Sequence, residues 1–317
     1  MPRTILRRRP RRVSRLGLTP LAALAVAAAF LFAACIGGAT GGPSGSPSSG
    51  VLRIVATTTV FADIVRNVGG DRVTVDTIIP SGAGPEDYEP KPDAARRLAD
   101  ADLIVSNGVG LDDFLDKLIA AAGEGAVPRL VLGDGIPTIT VDGEPNPHFW
   151  LDPTLVAGYY LPAITAKLAE LDPAGAATYA ANRDAYSAAI GVLDAANKAK
   201  IGSIPEANRK LVTFHDAFPY FAAHYGFQVV GVVLSNVGQE PTATDLAALV
   251  ETVKSAGVKA VFSEAQFNPE LARTLAAEAG VTQVVTTLYN DTVGPPPTDT
   301  YLAMMAWNVD RIVEALR

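Results

Sequence analysis

Hydrophobic and polar positions follow two rhythms along most of this chain. Short apolar runs rich in β-branched residues occupy residues 52–58, 102–106 and 129–132, and residues 73–79 alternate apolar with polar. Runs of this length predict strands, buried on both faces where the run is unbroken. Between them, residues 61–68, 92–101 and 111–122 carry apolar side chains at helical spacing. Strands alternating with helices predict a parallel sheet with helices packed on its faces.

A different pattern begins near the middle. Asp152 followed by Pro153 pairs a capping carboxylate with a first-turn proline and predicts a helix start. Residues 173–203 are alanine-rich, with Tyr179, Tyr186, Ile190 and Leu193 near one face. At 1.5 Å per residue such a helix is roughly 45 Å long, enough to cross from one lobe to another. Gly202 and Pro205 end it. The alternating rhythm then resumes, with strands expected at 211–214, 229–234, 260–263 and 281–287 and helices at 218–225, 242–256, 269–279 and 298–316. The expected fold is α/β: two parallel-sheet α/β lobes, residues 51–172 and 206–317, joined by a single long rigid helix at 173–205. No internal repeat is present, and no Gly-rich loop with a following Lys-Ser/Thr could cradle a nucleotide phosphate.

The amino terminus breaks the pattern. Arg3, Arg7, Arg8, Arg9, Arg11, Arg12 and Arg15 form a basic head, and an apolar run follows over residues 16–34. A basic head and an apolar stretch ending in small residues describe an export signal over 1–34, excluded from the fold. The same run is near the ~20 residues that cross a bilayer, so an uncleaved span is the alternative. Cys35, the single cysteine, follows directly and rules out an internal disulfide. Ala33-Ala34-Cys35 resembles a bacterial lipobox, with Phe32 where an aliphatic residue is usual. Residues 35–50 then read as a lipidated cysteine and a flexible Gly/Ser/Pro tether. The expected location is extracytoplasmic, anchored to the cell membrane through Cys35.

Composition adds two constraints. With 317 residues, 49% of them hydrophobic and 19% charged, the chain is long enough for two lobes and two cores. Beyond residue 34 it carries 19 basic and 33 acidic residues, a net charge of −14. Such a surface repels nucleic acid and attracts cations at long range.

The chain has three histidines, His148, His215 and His224. His215 follows the strand at 211–214, and open α/β sheets bind ligands at the carboxyl ends of their strands. His148 lies in the loop Glu144-Pro145-Asn146-Pro147-His148-Phe149-Trp150-Leu151-Asp152-Pro153. Carboxylates occupy comparable places: Glu86 after the strand at 73–79 and Asp291 after that at 281–287. Each lobe thus offers two candidate donors, Glu86 with His148 and His215 with Asp291. Two imidazoles and two carboxylates suit zinc, manganese or ferrous iron. On spacing alone a histidine at a strand end is more often structural than a ligand. Glu264, after the strand at 260–263, is a candidate to orient His215 by hydrogen bonding. His224 reads as structural, and Phe149 and Trp150 as packing that shields the site.

The chain resembles the metal-binding lipoproteins of zinc/manganese ABC importers, an adhesin-type solute-binding family. The likeness covers nearly all of residues 51–317. Ala56-Thr57-Thr58 with Gly69-Gly70-Asp71, and Asp102-Leu103-Ile104-Val105-Ser106-Asn107-Gly108 with Leu111-Asp112, are similar to the family's first half. Pro147-His148-Phe149-Trp150-Leu151-Asp152-Pro153 resembles its second-ligand motif. His215-Asp216-Ala217-Phe218-Pro219-Tyr220-Phe221 is similar to the third, where histidine typifies zinc members and glutamate manganese members. Tyr289-Asn290-Asp291 is similar to the fourth. The first ligand is usually a histidine, and here Glu86 stands in its place; we expect it to coordinate through oxygen. The His-rich loop of many zinc members is missing between residues 132 and 147.

The resemblance implies a monomeric carrier without catalysis, whose partner is an ABC importer permease and whose cargo is one divalent ion, zinc or manganese ahead of iron. It also admits an adhesion role. Two rivals are a metallohydrolase on a similar donor set and a siderophore- or haem-type binding protein. The first needs an open metal position and a general base. The second needs a broad pocket lined with aromatic or arginine side chains.

Overall fold

The first sheet grows outward from β1 (Leu52–Ala56). The computed structural model describes residues 50–85, 88–122, 127–234 and 241–317. The expected signal segment, Cys35, its tether up to residue 49, and Glu86 lie outside the described residues. β1 pairs in parallel with β2 (Val73–Thr77) and β3 (Leu103–Ser106), and β3 with β4 (Arg129–Val131), giving the order β2-β1-β3-β4. Successive side chains of a strand point to opposite faces. Ile54, Ala56, Leu103 and Val105 accordingly join the core under α1 (Thr59–Gly69). Val55 and Ile104 join the opposite cluster with Ala94 and Leu98 of α2 (Ala94–Ala99) and Leu115 of α3 (Phe114–Ala122).

Between this sheet and His148 lies an element absent from the sequence-based expectation. β5 (Thr140–Val141) and β6 (Glu144–Pro145) form a two-residue hairpin around Asp142 and Gly143, both at positive φ. Asp-Gly is the favoured pair for such a turn. Phe149–Leu151 then make a 3₁₀ turn. α4 (Pro153–Leu155), a π-helical turn at Val156–Tyr160 and α5 (Leu161–Leu171) follow without a break. The Asp152 carboxylate accepts from the Thr154 amide at 2.8 Å, the expected cap.

The long helix α6 (Ala176–Ile201) has 26 residues, about 39 Å at the usual rise. It is shorter than expected because Pro173–Gly175 form a 3₁₀ turn before it. Its buried face carries Tyr179, Tyr186, Ile190 and Ile201. Beyond it, β7 (Lys210–His215) pairs in parallel with β8 (Gln228–Leu234), and β9 (Ala260–Glu264) with β10 (Gln283–Leu288). β7 lies beside β9, so the two pairs stand side by side. α7 (Pro219–Tyr225), α8 (Ala243–Ala256), α9 (Glu270–Ala279) and α10 (Tyr301–Leu316) complete this half.

The sequence suggested two cores; the packing is more integrated. One cluster runs from Ile54 to Leu316 and joins the inner faces of both sheets through α1, α5, α6, α7 and α10. A smaller cluster lies on the outer face of each sheet. The halves are also stitched by polar bonds. Asp63 on α1 accepts from the Tyr301 amide at the start of α10, and the Tyr301 hydroxyl donates to the Trp150 carbonyl at 2.8 Å. Among the described residues no helix is long and apolar enough to cross a membrane.

Candidate metal centre

Four chemically active side chains converge where strands end. His215 is the last residue of β7, and Glu264 the last of β9. Asp291 lies three residues past β10, and His148 three past β6. All four are at most 4% exposed. The carboxyl ends of the parallel strands bring His215, Glu264 and Asp291 together, and the loop after the antiparallel β5–β6 hairpin brings His148 to them.

His148, His215 and Asp291 each offer a ligand atom, and these atoms lie within 4.8 Å of one another. His148 Nε2 is 3.4 Å from Asp291 Oδ1, and His215 Nε2 is 3.7 Å from Asp291 Oδ2. The two imidazole centroids are 5.3 Å apart. Donors about 2.1 Å from one tetrahedral ion stand about 3.4 Å apart, so this spacing fits a single divalent cation. Burial also fits. Asp291 Oδ1 and Glu264 Oε2 are buried and accept no hydrogen bond among the described residues. A buried carboxylate is costly unless a cation or donors compensate it. Burial pushes the Glu264 carboxyl above its ordinary pKa, partly offset by His215. Asp216, beside His215, is raised by the same cause, with both histidines opposing it.

Each donor is held from behind. Asn146 Oδ1 lies 3.1 Å from His148 Nδ1 and accepts from its backbone amide at the same distance. Asn146 Nδ2 donates to the Asp216 carbonyl at 2.7 Å. Glu264 Oε1 is 3.3 Å from His215 Nδ1, which leaves Nε2 as the atom directed to the cluster. Gln266 Nε2 donates to Asp291 Oδ2 at 2.6 Å. Asn290 Oδ1 accepts from the Asp291 amide at 2.7 Å, and the Asn290 carbonyl from Trp150 Nε1 at 2.7 Å. Trp150 and Phe149 are fully buried. The Trp150 ring stands 5.1 Å from His148 and the Phe267 ring 5.3 Å from His215.

A second layer fixes the backbone before His148. Asn107 Nδ2 donates to the Pro147 carbonyl at 2.9 Å, and the Tyr160 hydroxyl donates to Asn107 Oδ1. Asp112 accepts from the amides of Asn107 and Gly108 at 2.6 and 3.0 Å. Tyr160 is the last residue of the π-helical turn. The third histidine lies elsewhere: His224 stands 2.7 Å from Asp194 on α6 and 3.2 Å from Asp152. It ties α7 to α6 and to the start of α4.

Three of the four donors expected from sequence therefore meet at one buried point, with Glu264 against His215. Glu86 is outside the described residues. The segment leading to it is not: Gly82 donates its amide to Thr292 Oγ1 at 3.0 Å, and Ser81 Oγ donates to the Val293 carbonyl. Tyr88 Oη donates to the Ile78 carbonyl at 2.9 Å. Asn146 and Gln266 were not singled out from sequence. Asn146 sits two residues before His148, a local clue; Gln266 reaches Asp291 only through the tertiary fold.

Comparison with known proteins agrees with this geometry. Residues 54–315 match the family described as zinc-uptake complex component A, periplasmic. The manganese-binding lipoprotein MntA of Halalkalibacterium halodurans is 34% identical over 268 residues, covering 84% of this chain and 88% of that protein. The iron ABC transporter substrate-binding lipoprotein MtsA of Streptococcus pyogenes is 31% identical over 300 residues, covering 90% and 94%. Among solved structures, the periplasmic zinc-binding protein TroA of Treponema pallidum superposes with a TM-score of 0.78 at 28% identity, covering 84% of this chain and 99% of that one.

Proposed function

The chain belongs to the periplasmic zinc-uptake component family, and from that premise we propose that Glu86, His148, His215 and Asp291 together capture one zinc or manganese ion. It is an extracytoplasmic solute-binding protein that delivers a divalent transition metal to an ABC importer, with no chemical step. The observation that carries this is the buried His148–His215–Asp291 cluster. Capture needs donors that close around a partly dehydrated ion, and release needs them to separate at the permease.

Glu86 as fourth donor is supported by its anchored approach. Residues 81 and 82 are bonded to residues 292 and 293, next to Asp291. Glu264 is proposed as the group that orients His215, since a carboxylate against the far ring nitrogen is the usual support for a metal-binding imidazole. Cys35 is proposed as the lipidated residue, with 1–34 removed as signal and the chain a monomer that binds no nucleic acid. The lobes are proposed to span 51–172 and 206–317, with 173–205 between them. The relatives are named for manganese, iron and zinc, so the scaffold alone does not fix the cargo. The two histidines favour zinc, and the absence of thiolate leaves manganese accessible.

The test is competitive titration of the metal-stripped protein with zinc and manganese, for wild type and Glu86→Ala. One ion per chain, held at least tenfold less tightly by the variant, is the expected result. Wild-type binding with an unchanged variant would remove Glu86 from the site. No stoichiometric binding would overturn the reading as a whole.

A further inference from the structure

We propose that Gln266 is a positioning residue that makes Asp291 a one-oxygen ligand, and so biases the site toward four-coordinate zinc over manganese. The inference rests on the metal-capture reading above and deepens it.

The two oxygens of Asp291 are in different situations. Oδ2 accepts from Gln266 Nε2 at 2.6 Å, a short charge-assisted bond. Oδ1 is buried, accepts no hydrogen bond among the described residues, and stands 3.4 Å from His148 Nε2. Gln266 is fixed in turn. Its Nε2 also lies 3.3 Å from Asn290 Oδ1, which accepts the Asp291 amide at 2.7 Å. One amide nitrogen therefore grips two consecutive side chains and sets the roll of the carboxylate. Oδ1 faces the His148 imidazole without a hydrogen-bond donor among the described residues, whereas Oδ2, 3.7 Å from His215 Nε2, is already held by a donor with which a metal would have to share it.

Coordination number separates the candidate cargoes. Zinc is satisfied by four donors in a tetrahedron, whereas manganese prefers more oxygen atoms and a six-coordinate shell. A carboxylate that offers both oxygens adds one donor without adding a residue. By occupying one lone pair of Oδ2 and fixing the roll of the carboxylate, Gln266 makes Oδ2 the weaker donor of the two. The effect acts on the ratio of affinities, which a merely structural contact would leave unchanged while it altered both affinities together.

The probe is cobalt(II), whose visible absorption is intense in a four-coordinate site and weak in a six-coordinate one. The metal-stripped wild-type protein loaded with cobalt should show the intense four-coordinate bands. Gln266→Leu keeps similar bulk and removes the donor; it should weaken those bands and lower the zinc-to-manganese affinity ratio by about tenfold, in the range of changes seen when supporting groups are removed. A weak six-coordinate spectrum in wild type would overturn the proposal even if the variant failed to fold. An intense spectrum with an unchanged ratio in Gln266→Leu would overturn it as well. Failure of wild type to bind cobalt, zinc and manganese at all would instead remove the capture reading on which it rests.

Discussion

Asn146 serves both histidines with a single amide. Its oxygen faces His148 Nδ1 and the His148 amide, while its nitrogen holds the Asp216 backbone next to His215. Two donors from opposite halves of the chain thus share one support. Asn146→Leu keeps the volume and removes both interactions. It should reduce metal affinity about 10- to 100-fold in a chelator competition assay. An affinity within twofold of wild type would show that the histidines hold their places without it. At this scale His148, His215 and Asp291 were legible through the motifs around them more than through spacing, and they meet in one buried cluster; Glu86 lies outside the described residues. Gln266 was not legible and Asn146 hardly so, because amides are common and their bonds to Asp291 and Asp216 exist only once the strands are assembled.

The elements show where periodicity is informative and where it fails. Parallel strands buried on both faces leave short apolar runs, and β3, β9, residues 54–56 of β1 and residues 211–214 of β7 carry that mark. The β5–β6 hairpin escaped because two-residue strands have no period, although Asp142-Gly143 carried a turn signal. The π-helical turn escaped because one inserted residue scarcely disturbs helical spacing. The long helix was legible along its apolar face, and its start is fixed by a polar cluster that periodicity does not report. Asp172 accepts from the Tyr179 hydroxyl at 2.6 Å and from Arg72 Nε at 2.7 Å, fastening α6 to the turn after α1. The Tyr179 bond, with Arg72, holds the Asp172 carboxyl below its usual 3.8, and Tyr179 is itself pushed up to about 12, first by burial and then by Asp172. A depressed carboxyl stabilises the fold above its unfolded value and loses that contribution as pH falls through its folded value. Asp172→Asn should therefore lower the melting temperature at neutral pH, with the gap to wild type narrowing below the usual value of 3.8. A gap that stayed constant in acid would mean that the charge of Asp172 contributes nothing.

The whole molecule is organised around a shared core rather than two separate ones. α6 packs against α1, α5 and α10, and Tyr301, Trp150 and Asp63 bond across the halves. A wide hinge would tear this core, so a small shift of the lobes or of the ligand-bearing loops is the expected route of release. Bound metal then adds stability directly, because the ion binds the folded cluster and not the unfolded chain. At a free ion concentration a hundredfold above the dissociation constant, the gain is about 2.7 kcal/mol. Zinc should raise the wild-type melting temperature by several degrees and leave Asp291→Ala unmoved; an equal rise in both would place the ion elsewhere. The most direct test of the central claim is anomalous diffraction from crystals of the zinc-loaded protein, recorded on both sides of the zinc absorption edge. One strong peak per chain is expected, within coordination distance of His148 Nε2, His215 Nε2 and Asp291. A strong peak at any other place, or no peak in fully loaded crystals, would contradict it.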